Sequence, residues 1–521
     1  MTALDTLLKN DTSRNIFLKG LNGSGPAMTI ASLFTKGRGS YVCVLNDQEE
    51  AGYFYHDLMQ LTASNEVYFF PSAYRRAIKY GHVDPANEIL RTEVLSRLQD
   101  PDASFVIVTY PDALAERVVA REVLKENTLK ISVGEKLDNM FVSDVLDEYG
   151  FEQVDYVYEP GQYALRGSIL DVFSFSYEFP YRIDFFGDEV ETIRTFDVET
   201  QLSKEKLDSI YIVPEMSKNA KDSTSLLGSL PRNTFIAARD LAWCKERIGS
   251  VWNDDPVVAD EESFADIDQM RKKLVQAEDF LREVLDFRRI HFGARPMGTA
   301  DATIHFSTQT QPIYHKNFDR VSESFHKYLD EGYTLYILSD QEKQANRIRM
   351  IFEDRGDNIP FTAVNRTIHE GFADDTLRIC FFTDHQLFDR FHKFNLKSDK
   401  ARSGKITLSL KELNQFSQGD YIVHIDHGVG QFGGLVRTEV NGKMQEAIKL
   451  IYQNNDIIFV SIHSLHKLSK YKGKESGEPP KLSKLGTGAW EKMKERTKAK
   501  VKDIARAVSY THLTLPTNSL V

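Results

Sequence analysis

The fold class of this chain is decided by NIFLKGLNGSGPA, residues 15–27, which has the order strand, glycine-rich loop and helix start. Residues 15–19 form a short apolar run, and residues 27–34 have a helical pattern. Further apolar, strand-like runs follow, with helical patterns between them, at 41–45, 66–70 and 105–109. Because strands that alternate with helices form parallel sheets, this rhythm predicts a parallel sheet covered by helices.

The loop GLNGSGPA, residues 20–27, has the frame of a P-loop, G-x-x-x-x-G-K-[ST], but lacks its chemistry. Pro26 replaces the lysine that neutralises the β- and γ-phosphates, and Ala27 replaces the hydroxyl residue that holds Mg²⁺. Together with Gly20, Gly23 and Gly25, they form a degenerate loop that we predict to be non-functional in ATP hydrolysis. An ordinary glycine-rich turn is the alternative.

Composition restricts the class of protein. The 521 residues predict about three or four domains, and 41 % hydrophobic with 27 % charged residues is typical of globular chains. The net charge of −11 excludes a general nucleic-acid binder, although residues 405–506 carry a local net charge of +7. Three widely separated cysteines indicate neither a disulfide scaffold nor a thiolate zinc site. With no apolar run of membrane length and no signal peptide pattern, we expect a cytoplasmic protein.

Patterns along the chain predict a multidomain α/β protein. The expected order is a P-loop-like parallel α/β domain with a β-rich insert, a second small α/β domain, a small Tudor-like β-barrel and a basic helix. A long helix is expected at 267–287. The predicted segments are 1–125 with 206–300 for the first domain, 126–205 for the insert, 301–400 for the small domain, 401–415 for a linker, 416–472 for the barrel, 473–507 for a linker and basic helix, and 508–521 for a non-native tail.

Two stretches carry a family resemblance. The first, RGSILDVF at 166–173 followed by YRIDFFGDEVETIRTF at 181–196, resembles a β-rich domain shared by the repair protein UvrB and the transcription-repair coupling factors. The second, GDYIVHIDHGVGQFGGL at 419–435, is similar to the Tudor-like module of those coupling factors, also found in CarD-type regulators. The order of the two modules and the altered P-loop resemble the N-terminal half of the coupling factor (Mfd) family, over residues 1–507.

For the insert, the resemblance implies recruitment of UvrA through Arg166, Arg182, Asp184 and Phe186. Period-two alternation places Arg182, Asp184 and Phe186 on one face of their strand. An aromatic side chain flanked by charges is a reasonable interaction patch. The alternative is a solvent-facing salt bridge beside a core phenylalanine.

For the barrel, the resemblance implies docking onto the β subunit of RNA polymerase by pairing of sheet edges. Ile448 and Leu450 are predicted at or near this contact, and the alternative is that both lie in the barrel core. His424 and His427 flank Asp426 without a third ligand nearby, which favours hydrogen-bonded structural histidines over a metal site.

The basic helix carries Lys492, Arg496 and Lys500, which we predict as phosphate contacts to double-stranded DNA, with a solvated helix as the alternative. In the small domain, the TDHQ segment that contains Asp384 and His385 is similar to a motor motif but lacks a partner P-loop. It therefore indicates a turn or helix cap.

The family continues into two helicase-like lobes that use ATP and Mg²⁺ to translocate on DNA, and their motifs do not occur in this sequence. We therefore expect transcription-coupled repair functions of docking, namely binding stalled RNA polymerase and recruiting UvrA. We expect neither a cofactor nor catalysis in this fragment. The alternatives are a UvrB-like helicase-type NTPase and a CarD-like transcription regulator.

Overall fold

The computed structural model divides the chain into two compact units, Met1–Gly404 and Lys405–Val521. The residues it describes are 2–9, 13–62, 66–73, 85–100, 102–154, 157, 159–198, 202–214, 223–253, 271–390, 392, 394, 396, 416–440, 443–461, 467–471, 480–494 and 496–497. The predicted linker 401–415 and the predicted tail 508–521 lie outside these residues. Helices and strands are numbered below in chain order.

The first domain is built on a parallel sheet of seven strands. In spatial order these are β17 (Ala302–His305), β1 (Asn15–Lys19), β16 (Arg288–His291), β15 (Phe235–Ala238), β2 (Tyr41–Val44), β4 (Val106–Thr109) and β3 (Val67–Phe69). Every residue of β2, β3, β4 and β15 is buried, as expected for strands of a parallel sheet that is covered on both faces. The predicted parallel α/β domain is confirmed.

Helices connect and cover these strands. They are α1 (Thr2–Lys9), α2 (Gly25–Thr35), α3 (Gln48–Thr62), α4 (Pro85–Arg97), α5 (Pro111–Leu114), α6 (Arg121–Glu126), α8 (Leu241–Asn253) and α9 (Ala277–Leu285), with a short pair of strands, β5 (Val118–Val119) and β14 (Ser223–Thr224), and a 3₁₀ turn at Leu227–Ser229. The predicted helix at 267–287 is described only from residue 271, and there its helical part is α9. None of the helices among the described residues has the length and apolar character needed to cross a bilayer.

The insert contains a second, mostly antiparallel sheet in the order β12–β11–β10–β9–β8–β7, in which only β7 runs parallel to its neighbour. Its elements are β6 (Leu129–Ser132), α7 (Asn139–Glu148), β7 (Glu152–Gln153), β8 (Gln162–Arg166), β9 (Ile169–Val172), β10 (Tyr181–Phe186), β11 (Glu189–Phe196), β12 (Ser203–Leu207) and β13 (Ser209–Ile212). One face of the sheet packs on α7, with Val142 and Leu146 in the same buried cluster as Ile183.

The opposite face of this sheet is buried at one end against the first domain. Ile89 of α4 belongs to one buried cluster with Phe173 and Phe196 of the insert. At the turns that contain Gly167 and Gly187, residues 167–168 and 186–189 are exposed. The insert is therefore anchored at one end of the sheet and accessible at the other.

A small α/β domain follows, in agreement with the prediction. Its sheet has the order β18–β21–β22–β19–β20. The elements are β18 (Thr308–Thr310), α10 (Phe318–Asp330), β19 (Thr334–Leu338), α11 (Glu342–Asp354), β20 (Thr362–Val364), β21 (Phe372–Asp374), β22 (Ile379–Thr383) and α12 (Asp384–Leu387). Thr383 caps α12 by accepting a hydrogen bond from the Gln386 N–H. The TDHQ segment thus begins a short helix, with Thr383 as the cap and with Asp384 and His385 in the first turn.

Two domain limits differ from those predicted. Residues 209–212 form β13, which pairs with β6 inside the insert, so the insert extends beyond residue 205. Residues 302–305 form β17, the edge strand of the first sheet, so the small domain begins after β17 rather than at residue 301. In both cases pairing with a strand distant in sequence decides the assignment.

The second unit contains a five-stranded antiparallel sheet in the order β26–β25–β24–β23–β27. Its strands are β23 (Tyr421–His424), β24 (Gly428–Val440), β25 (Lys443–Ile451), β26 (Ile457–Ser461) and β27 (Leu468–Lys470), with a 3₁₀ turn at Gln453–Asn455. A bulge between Phe432 and Leu435 bends β24, and Gly434 there has φ of +100°, a conformation that favours glycine.

Stacked rings join α3 to the small domain. The Tyr53 ring lies 3.5 Å from the His369 ring between centroids, and the His385 and His392 rings lie 4.3 Å apart. The Nε2 atom of His385 is 2.8 Å from the carbonyl oxygen of His369. Burial is the main cause that lowers the pKa of His385 to about 4, and proximity to His56 acts in the same direction. The charged groups that face this stack include Asp340 and the neighbouring Asp384.

We predict that His385 lowers the stability of the first unit as the pH falls from 6.5 toward 4. In this range the unfolded chain binds a proton at His385 and the folded chain does not, which costs about 1.4 kcal/mol per pH unit for one group. Urea unfolding of wild type and His385→Gln at pH 7 and pH 5 measures this effect. Glutamine keeps a donor but does not titrate, so the variant should lose less stability than wild type. Equal losses would contradict the prediction.

Candidate functional site

The degenerate P-loop occupies the predicted place between a strand and a helix. β1 ends at Lys19, and α2 begins at Gly25 with Pro26 in its first turn. Gly20 and Gly23 have φ of +91° and +53°, which side chains disfavour. The loop therefore curves around the N-terminus of a helix, as a P-loop does. At such a terminus the first N–H groups have no partner within the helix and can bind another acceptor.

In this loop, residues 20–25, which we call the cradle, the N–H groups of Ser24 and Gly25 donate to carbonyl oxygens of the same chain. The Ser24 N–H donates to the carbonyl oxygen of Glu370 at 3.0 Å, and the Glu370 N–H donates to Ser24 Oγ at 3.0 Å. The Gly25 N–H donates to the carbonyl oxygen of Asn22 at 3.0 Å. These amides are therefore already bonded to protein oxygens.

A second segment covers the loop from the side of β17. The Asn22 N–H donates to Thr308 Oγ1 at 2.9 Å, and Thr308 Oγ1 donates to the carbonyl oxygen of Gly20 at 2.7 Å. A Cβ atom on Gly20 would lie 2.2 Å from the carbonyl oxygen of Phe306. The loop thus contacts the small domain through two segments, around residues 306–308 and 369–371.

The insert places three of the predicted residues on one face, as expected. In β10, Tyr181, Ile183 and Phe185 are buried, whereas Arg182 and Asp184 are partly exposed. Phe186 is 79 % exposed and lies on the same side as these two. The predicted alternation is confirmed, and Phe186 is a surface residue rather than part of the core.

Arg182 forms a buried ion pair with a carboxylate that the sequence had not indicated. Its Nε and Nη2 atoms donate to Asp171 Oδ1 and Oδ2 at 2.7 and 2.8 Å, and Asp171 is completely buried. Arg166 donates to the same carboxylate from the neighbouring strand β8. The Arg182 guanidinium also stacks on the Phe196 ring at 4.3 Å. Its hydrogen bonds to Asp171 raise the pKa of Arg182 above its usual value.

Asp184 is likewise bonded within the sheet. It accepts hydrogen bonds from Arg194 and from Thr192 Oγ1, both on β11. Both residues form salt bridges, as the alternative interpretation expected, but with Asp171 and Arg194 rather than with each other. The pair of Arg182 is with a buried carboxylate rather than solvent-facing, and Phe186 is not in the core. Strand register aligns Asp171, Arg182, Arg194 and Lys206 in one row across four strands. Applying the same two-residue alternation to the adjacent strands β9 and β11 could have predicted from the sequence that Asp171 and Arg194 lie on the same face as Arg182.

We predict that Arg182→Ala lowers the free energy of unfolding by about 3 kcal/mol, because it leaves the buried Asp171 carboxylate with one of its two guanidinium partners. Phe186→Ala should change stability by less than about 0.5 kcal/mol, since its ring is exposed. Chemical denaturation of both variants measures these changes. Similar stabilities of the two variants would contradict the assigned roles.

In the second unit, Ile448 and Leu450 lie in the core. Both are 0 % exposed and belong to the buried cluster of this sheet. Their strand β25 is paired with β24 on one side and β26 on the other. The prediction that these side chains form the polymerase contact is corrected: β25 is an interior strand, and alternation turns both side chains inward.

Among the side chains of this sheet that the structure describes, the large exposed apolar ones lie on the edge strand β26. Ile457 and Phe459 are 45 % and 49 % exposed, whereas Val460, on the opposite side of the strand, is buried. Among the described residues, β26 pairs with β25 only. This strand therefore presents a backbone edge beside two apolar side chains, the features that β-strand addition requires.

The two histidines of the signature segment lie close together, and one of them is hydrogen-bonded to the backbone. His424 Nδ1 accepts a hydrogen bond from the Asp426 N–H at 3.0 Å, and the His424 and His427 rings lie 4.5 Å apart. Burial, followed by the proximity of His427, lowers the pKa of His424 to about 3. The Asp426 carboxylate is 3.5 Å from Lys467 Nζ. Within the described ranges, no three His, Cys, Asp or Glu side chains are placed to hold a metal ion.

The basic segment after residue 480 packs on this sheet through part of its length. Trp490 Nε1 and Lys494 Nζ both donate to the carbonyl oxygen of Ile425, at 2.9 and 3.0 Å. Lys492 and Arg496 are exposed, and Lys500 lies outside the described residues. The exposed cations remain predicted phosphate contacts.

Comparisons with known proteins match both modules. The family described as the UvrB interaction domain matches residues 129–217, and the family described as the CarD-like/TRCF RID domain matches residues 416–472. The chain is 24 % identical over 591 aligned positions to a transcription-repair-coupling factor of Staphylococcus aureus (strain bovine RF122 / ET3-1), covering 97 % of the chain and 50 % of that protein. The same identity is found with the transcription-repair-coupling factor of Bacillus subtilis (strain 168), over 94 % of the chain and 48 % of that protein.

The chain thus spans about half the length of these curated relatives. The first matched range includes β13, which the structure also assigns to the insert. Both domains are present in one chain, and nearly all of the chain is similar to about half of the length of these transcription-repair-coupling factors.

Proposed function

We propose that this chain is a docking component of transcription-coupled DNA repair, which binds RNA polymerase with its second unit and recruits UvrA with its insert. The observation that carries the proposal is the presence of both matched domains in one chain. Each of these domains has exposed aromatic side chains on a sheet. The filled cradle of the first domain supports docking rather than nucleotide hydrolysis.

In the proposed UvrA surface, Phe186 is the contact residue and the charged residues around it have two roles. Arg182 and Asp184 hold the strands together through buried or half-buried ion pairs. Arg166, on β8, is more exposed than Arg182 and is paired with Asp171. Lys206 is exposed on β12, at the other end of the row that contains Arg182 and Arg194. Exposed aromatic and arginine side chains are the residues that most often dominate protein interfaces.

We expect Phe186→Ala to weaken UvrA binding at least tenfold, because an aromatic anchor contributes about 1.4 kcal/mol or more. Phe141→Ala is the matched control, since Phe141 is also exposed but lies on α7, which packs on the other face of the sheet. Surface plasmon resonance with purified UvrA measures both. Equal effects of the two substitutions would refute the proposed surface.

For RNA polymerase, we propose β-strand addition at β26 of the second unit, which we take to be a Tudor-like barrel. The polymerase β subunit is the proposed partner. A strand of the polymerase β subunit would form backbone hydrogen bonds with β26. Ile457 and Phe459 of β26 would contact the side chains of that strand.

We expect Phe459→Ser to weaken polymerase binding about tenfold or more without unfolding the domain, because it removes only an exposed ring. Met493→Ser, at another exposed apolar residue of the same unit, should bind like wild type. Ile448→Arg should unfold the domain, because it places a charge in the core. Pull-down and thermal unfolding distinguish these cases. A folded Ile448→Arg variant that loses binding, beside a Phe459→Ser variant that retains it, would refute the edge proposal.

DNA contact and translocation complete the proposal. Lys492 and Arg496 are proposed phosphate contacts to double-stranded DNA, whose binding would weaken with salt. ATP, Mg²⁺ and ATP-driven translocation are proposed for the longer relatives, and this chain is proposed to bind no nucleotide at residues 20–27. Both proposed partners act on chromosomal DNA, which favours the bacterial cytoplasm as the location.

A further inference from the structure

A closed network of hydrogen bonds joins the cradle to the turn at 369–371. Besides the two bonds between Ser24 and Glu370, the His369 N–H donates to Asp57 Oδ1 of α3 at 2.7 Å. The Ser24 side chain is also hydrogen-bonded to Asp57. Ser24 is 4 % exposed and Asp57 is 3 % exposed, so the network is shielded from water. Burial raises the pKa of Asp57 to about 7, and the hydrogen bonds from Ser24 and His369 oppose this rise because they favour the charged carboxylate.

The glycine in the middle of the loop permits this close approach. A Cβ atom on Gly23 would lie 2.9 Å from the carbonyl oxygen of Gly371 and 3.0 Å from that of Glu370. A P-loop needs glycine for the same reason, because its backbone must approach a phosphate. Here the group that approaches is another stretch of backbone.

The chemistry of the occupant fits the two substitutions in the motif. A peptide carbonyl is a neutral acceptor, so it needs hydrogen-bond donors but neither a lysine nor a metal ion. Pro26 and Ala27 supply neither, and both are buried in the first turn of α2. The partial positive charge of a helix N-terminus still favours the carbonyl oxygen.

We propose that His369–Gly371 is the resident ligand of the cradle, so that the small α/β domain docks where an intact P-loop would bind a nucleotide phosphate. This contact closes the loop to nucleotides and fixes the small domain on the first domain. It gives residues 306–396 a role that the two docking surfaces do not require. The segment 306–308, bonded to Gly20 and Asn22, holds the loop from the other side.

Gly23→Ala tests the proposal, with Gly37→Ala as its matched control. Both glycines have positive φ, so alanine is strained at both, but Gly37 has nothing within 4 Å of its Cβ position. Only Gly23→Ala should push the turn away. We expect hydrogen exchange at the amides of Ser24, His369 and Glu370 to rise at least tenfold in Gly23→Ala and to stay within twofold of wild type in Gly37→Ala.

If Gly23→Ala does not fold, Ser24→Ala tests the same contact with a smaller change. Ser24→Ala removes the acceptor for the Glu370 N–H and adds no bulk. It should raise exchange at Glu370 while leaving amides of the insert, such as that of Ile183, unchanged. Equal protection of His369 and Glu370 in wild type, Gly23→Ala and Ser24→Ala would overturn the proposal. So would a rise of the same size in Gly37→Ala.

Discussion

The hydrogen bond from the Ser24 N–H to the Glu370 carbonyl oxygen joins the glycine loop of the first domain to the small domain. It binds the N–H of the residue that precedes α2, and it places a turn of the small domain against the glycine loop. The bond joins residues that are far apart in the chain, so it depends on both domains being folded. Nucleotide-binding folds leave this position open for phosphate, and here a peptide carbonyl occupies it.

In both proposed docking surfaces, the residues that stabilise the sheet differ from the exposed residues that are proposed to bind a partner. In the insert, the conspicuous charges are bonded within the sheet: Arg182 to the buried Asp171, and Asp184 to Arg194. The exposed element is the neighbouring ring of Phe186. In the second unit, the interior strand β25 carries the core residues Ile448 and Leu450, and the edge strand β26 carries the exposed Ile457 and Phe459. Stability and recognition therefore involve adjacent but different residues, which allows one to be changed by substitution without the other.

Local patterns predicted what depends on local geometry. Alternation in β10 correctly placed Arg182, Asp184 and Phe186 on one face, and the strand–loop–helix order around the altered P-loop was also found. That the loop does not hydrolyse ATP stays a prediction. Alternation could not say which face of β25 is buried, because that depends on β24 and β26 on its two sides. The cradle contact and the pairing of β17 with β1 could not be predicted, because each joins segments some 300 residues apart in sequence.

The central claim is that the cradle holds protein and not nucleotide, and calorimetric titration of the chain with Mg·ATP tests it most directly. The account predicts no saturable heat up to millimolar ATP, with unchanged exchange protection at the Ser24 amide. Binding at one site per chain, accompanied by loss of protection at His369 and Glu370 as ATP displaces the turn, would contradict it.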